Sequence, residues 1–234
     1  MFRTKIFGIA LPALALALTA HAGTFTFETA AGAQESGGNA VDGKAIVTTG
    51  AGTVTVQLFN LLVNPTTVAQ NLSDFAFSLS GSTTLGSLAS SSGQSVTIAA
   101  GGVATTGASI ATGWIFSSPS AGSYLLDDLG AGGSGPGHTI IGAPGAGGVY
   151  TNANSSIAGN GPHNPFLNQS ATFTLNITGV TDATTVSNVI FSFGTVSGNN
   201  VPGGGSSVPE PVSLSLVGGG LLALGLLRKR LPRQ

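Results

Sequence analysis

Two histidines, His138 and His163, fall near the adjacent acids Asp127 and Asp128, and imidazole with carboxylate is the grouping that zinc or calcium-type sites use. Their spacing matches no established ligand pattern, so they are read as water-exposed loop residues, with no metal and no cofactor expected. Glycosidic bond cleavage is the second chemistry to weigh, since it needs two carboxyls about 5 to 10 Å apart. Asp127 and Asp128 are neighbours that a strand or turn would point to opposite sides, and a solvated turn is the preferred reading. Trp114, Tyr124 and Tyr150 offer the apolar faces and polar edges on which sugar rings stack. Core packing for Trp114 and ordinary surface for Tyr150 is the plainer reading. Gly130-Ala131-Gly132-Gly133-Ser134-Gly135 fits a dinucleotide fingerprint by letter, but neither a helix nor a βαβ pattern surrounds it. No nucleophile elbow, zinc-protease motif or phosphate loop occurs. Asn71, Asn154, Asn168 and Asn176 each open a glycosylation sequon. No catalytic constellation emerges, and the expectation is a protein that is not an enzyme.

The elements that would position these residues are strands. Thr53 to Leu58, Ser73 to Leu79, Ser95 to Ile98 and Thr172 to Ile177 alternate polar and apolar residues, as half-buried strands do. Shorter candidates are Thr24 to Glu28, Lys44 to Thr49, Trp114 to Phe116, Tyr124 to Leu126, Thr139 to Ile141 and Val189 to Phe193. With no sustained 3.6-residue stripe between them, the prediction is an all-β body over 23–200, a β-sandwich of jelly-roll type. Gly130 to Pro165 reads as one long loop rich in glycine and proline. Val201 to Ser207, VPGGGSS, reads as a flexible linker over 201–207.

Charge sharpens what the body can meet. Six of the seven basic residues lie in the terminal segments, and from Gly23 to Ser207 seven carboxylates face the single Lys44, a net of −6. Binding to a phosphate backbone requires Lys and Arg, so nucleic acid is excluded. The 234 residues include no cysteine, which removes disulfides, thiolate metal sites and thiol nucleophiles together. Hydrophobic residues still make up 41% of the chain, enough to build a core.

The two ends carry addresses. Residues 1–22 have Arg3 and Lys5, an apolar run from Ile6 to Leu18, and the small-x-small site Ala20-His21-Ala22, the parts of a secretory signal cleaved after Ala22 by signal peptidase. At the other end, over 208–233, Val208-Pro209-Glu210-Pro211 precedes sixteen uncharged residues from Val212 to Leu227 and the basic stop Arg228-Lys229-Arg230. At about 1.5 Å per residue that run reaches roughly 24 Å, a marginal transmembrane helix against a ~30 Å hydrocarbon core. Its basic end would stay cytoplasmic and the body would face the periplasm. Pro209 and Pro211 keep the junction extended.

This tail resembles the PEP-CTERM sorting signal of Gram-negative bacteria. The resemblance implies recognition of Pro209, Glu210 and Pro211 by an exosortase-type membrane enzyme. It further implies export across the inner membrane, at least transient anchoring, and delivery to the cell surface or extracellular matrix. The functional expectation is a structural or interaction protein of the envelope or its matrix. A module binding extracellular polysaccharide is the alternative, and a glycan hydrolase comes third.

Overall fold

The computed structural model describes residues 22–81, 83–130 and 138–207. Twelve strands are found there: β1 Gly23–Thr29, β2 Gly43–Gly50, β3 Thr53–Asn60, β4 Leu72–Leu79, β5 Gly86–Ile98 and β6 Ala104–Ile110. They are followed by β7 Ile115–Ser120, β8 Ser123–Asp127, β9 Ile140–Ile141, β10 Phe166–Ile177, β11 Val186–Phe193 and β12 Asn200–Ser207. Alternation explains why they form. In β2 every second residue is buried, Gly43, Ala45, Val47 and Thr49, and in β3 the buried set is Val54, Val56, Leu58 and Asn60. Each fully buried Val, Leu or Phe contributes about 1.5–3 kcal/mol, and only one face per strand needs to be apolar.

The expected two-layer sandwich is not what these strands build. One continuous hydrogen-bonded path runs β10-β3-β2-β1-β12-β11-β4, and the two-residue strand β9 pairs with both β10 and β4. The result is a closed eight-strand β-barrel. β5 and β6 extend the sheet beyond β10, while β8 and β7 extend it beyond β4. A sandwich and a barrel share the same inward–outward alternation, so the strand pattern could not separate them. The difference lies in β9, whose Ile140 meets Leu167 on one side and Leu72 on the other.

A second correction concerns Val201 to Ser207, which is no linker but most of β12, paired with β1 and β11. Its glycines are there because neighbouring side chains cover them. A Cβ on Gly205 would lie 2.2 Å from Phe27 Cδ1, and one on Gly203 would lie 2.6 Å from Val189 Cγ1 and 2.8 Å from Phe191 Cε2. The barrel therefore runs to Ser207. β1 and β12 are antiparallel, with Phe25 opposite Ser207, so the chain enters and leaves the barrel side by side on one rim.

Among the described residues no helix is long and apolar enough to cross a membrane. Among the described residues the architecture is all-β, and the closed barrel corrects the expected sandwich. The residues on which that helix was expected, Val212 to Leu227, lie outside the described ones. So do the signal segment through Ala20 and His21, Pro209-Glu210-Pro211 and Arg228-Lys229-Arg230.

The barrel interior is aromatic. Phe75 sits 5.3 Å from Phe191 and 5.6 Å from Phe77 between ring centroids, and Trp114 sits 5.2 Å from Phe173. A smaller core of Val68, Val96, Ile98, Ile141, Tyr150, Ile157 and Phe166 lies beside it. Three of those residues, Ile141, Tyr150 and Ile157, come from the segment read as an open loop, whose described part is instead a packed cap.

Candidate functional site: a carboxyl cluster on the outer face of the barrel

Three acids, Asp74, Asp127 and Asp128, draw together where β4 meets the end of β8. β4 and β8 pair so that Phe75 faces Leu126, Phe77 faces Tyr124, and Asp74 faces Asp127. The apolar partners turn into the barrel, which leaves Asp74 and Asp127 together on the opposite face of the sheet. Asp74 is nonetheless only 8% exposed. Burial, then a hydrogen bond shared with the Asp127 carboxyl, then its charge push the Asp74 carboxyl up to about 7, against the pull of the Asp128 and Leu129 N–H groups. Burial is the main cause of that rise, and the Asp127 carboxyl across the strand pair adds to it.

Main-chain groups occupy much of the rest of the cluster. Asp128 N–H donates to Asp74 Oδ1 at 3.2 Å, and Gly130 N–H donates to Asp127 Oδ1 at 3.0 Å. The buried Asp128 accepts the His138 N–H at 2.8 Å on Oδ1. The two adjacent acids thus have different partners, and Asp128 ties the end of β8 to the residue that leads into β9. Asp74 was not singled out in the sequence, since only the β4–β8 register brings it to Asp127.

The two histidine rings bond to different main-chain carbonyls. His138 Nδ1 lies 2.7 Å from the Pro165 carbonyl and His163 Nδ1 lies 2.8 Å from the Ser156 carbonyl. Among the described residues no three His, Asp or Glu side chains form a group able to hold a metal ion. The aromatic platform does not exist as a surface: Trp114, Tyr124 and Tyr150 are 3%, 1% and 2% exposed. Their polar atoms bond inward, Trp114 Nε1 to the His138 carbonyl at 3.0 Å, Tyr124 Oη to the Thr84 carbonyl at 2.7 Å and Tyr150 Oη to the Gly142 carbonyl at 2.8 Å. Burial alone pushes the Tyr150 phenol up to about 12. Of the sequon asparagines, Asn71 is fully buried, whereas Asn154 and Asn176 are exposed.

No family model matches this sequence, and no curated protein or solved structure is significantly similar to it. A glycan hydrolase needs an acid that touches the leaving-group oxygen, and the raised acid here is buried against its own main chain. What the cluster does chemically is fasten β4, β8 and the approach to β9 at the seam where the barrel closes.

Proposed function

We propose that this chain is an exported, non-enzymatic protein of structural or interaction type, directed to the cell surface or extracellular matrix by its PEP-CTERM-like tail. The observation that carries the reading is the extent of the fold. β1 begins at Gly23, directly after the site read for signal cleavage, and β12 ends at Ser207, two residues before Pro209. Every barrel strand among the described residues lies between the two addresses, so removing both leaves that hydrogen-bonded ring complete. The acids and aromatics with chemical potential serve the seam and the core, which supports a scaffold over a catalyst. Partners on this reading are signal peptidase and an exosortase-type membrane enzyme. The polysaccharide-binding alternative loses the three aromatic residues on which it was argued, since all are buried.

Deleting Pro209 to Gln234 tests the sorting step. The truncated protein should keep its near-ultraviolet circular dichroism from Trp114 and appear in the periplasm or medium. A truncated protein that still reaches the cell surface in wild-type amount would contradict the proposal.

A further inference from the structure

The charges of the barrel are sorted along its strands. β1 starts at Gly23 opposite Thr49, and β12 ends at Ser207 opposite Phe25, so both ends share a rim with the β2–β3 turn at Ala51 and Gly52. β4 reaches the same rim at Leu79, which pairs with Val186 at the start of β11. The opposite rim holds the end of β1, the starts of β2 and β4, and the end of β8.

Of the seven carboxylates between Gly23 and Ser207, six lie toward that opposite rim. Glu28 pairs with Lys44 at 2.9 Å near the end of β1, Glu35 and Asp42 follow in the connection to β2, and Asp74, Asp127 and Asp128 sit at the β4–β8 seam. Among the described residues Asp182 is the one carboxylate on the first rim, where a Cβ on Gly50 would lie 3.9 Å from its Oδ1. The exposed residues around that rim, Ala51, Thr181, Ala183 and Leu85, are uncharged. Ala30 and Ala31 on the acidic rim are just as exposed, so solvation alone gives no reason to keep carboxylates from one end.

The tail leaves from the uncharged rim. Four residues, Val208 to Pro211, separate Ser207 from the uncharged run that begins at Val212. At no more than ~3.6 Å per residue they reach at most ~18 Å, so lipid that takes up the run meets this end of the barrel first. Anionic headgroups repel carboxylates within about a Debye length, ~8 Å at physiological ionic strength. Glu28 and Asp74 stand five residues along their strands from the uncharged rim, roughly 12 Å of height after the strand tilt of a barrel. The six acids are therefore held beyond that range when the barrel stands on its uncharged end.

We propose that the rim bearing Gly23, Ala51, Ala183 and Ser207 seats against an anionic lipid surface while the tail is engaged by the membrane, with the acidic rim turned away. This seating rests on the sorting reading, since the tail is what brings the barrel to lipid. Leu85, 70% exposed and fixed to the rim by the Thr84 N–H bond to the Thr178 carbonyl at 3.2 Å, is the apolar side chain placed to enter the headgroup layer.

Because the chain has no cysteine, single variants can carry a fluorophore. Ala183→Cys and Ala30→Cys, each made in the chain from Gly23 to Gln234, compare the two rims on phosphatidylglycerol vesicles that bear a headgroup-attached quencher. The label at 183 should be quenched several-fold more than the label at 30. Equal quenching in protein that floats with the vesicles overturns the seating and leaves the sorting reading in place, whereas protein that does not float overturns both. Adding Ala51→Glu and Thr181→Glu should cut the quenching at 183 on phosphatidylglycerol and leave it unchanged on phosphatidylcholine, with Trp114 circular dichroism still native. No cut on phosphatidylglycerol, or an equal cut on both lipids, also overturns the seating.

Discussion

Asp74 is the residue at which sequence, packing and protonation meet most tightly. Its folded carboxyl titrates near 7, because burial and Asp127 disfavour its charge, whereas in the unfolded chain it titrates near its ordinary value of about 4. An acid whose value is raised by folding stabilises least when ionised, so the penalty grows as pH rises from about 4 to about 7 and is complete above that. A rise from about 4 to about 7 corresponds to on the order of 4 kcal/mol at most. The melting temperature should therefore fall between pH 5 and pH 8, and Asp74→Asn should flatten that fall and raise the value at pH 8. An unchanged slope in the variant would place the pH dependence elsewhere. Glu35 works in the opposite sense. Burial raises its carboxyl, but the Gly37 and Asn39 N–H groups and the Asn39 side chain outweigh burial and hold it below the usual range. Its stabilisation is present at neutral pH and lost as pH falls through that lowered value.

At the scale of elements, β12 makes the sharpest prediction. Gly203→Ala and Gly205→Ala press a methyl into Val189, Phe191 and Phe27, while a methyl on Gly204 meets only the Glu28 carbonyl at 3.7 Å. Thermal unfolding should show the first two destabilised by about 1–3 kcal/mol, as overpacking typically costs, and Gly204→Ala within about 0.5 kcal/mol of wild type. Equal tolerance at all three would mean β12 behaves as a tether after all. The same element shows where the sequence stopped being legible. β3, β4 and β10 could be read because their alternation is imposed by one buried face, as in Phe75, Phe77 and Leu79. β12 could not, because Gly203 and Gly205 bury no side chain of their own and make room for rings from other strands. β6 showed no alternation because both its faces are exposed from Thr105 to Ser109. The strand at Thr139 to Ile141 is legible locally, but its pairing with both β10 and β4, which closes the barrel, and the register that sets Asp74 against Asp127 have no local signature.

For the molecule as a whole, the start of β1 and the end of β12 share a rim, while the carboxyl cluster and the packed cap lie toward the other end of the strands. Both terminal segments thus join the barrel at one place. On the proposed function, these segments are addresses for a self-contained barrel. The most direct test is the intact mass of the protein recovered from its own cells. The recovered chain should begin at Gly23 and end near Pro209 to Pro211, with any added glycan as a further increment on that mass. A recovered protein that retains Met1 to Ala22, or that extends to Gln234, would contradict it.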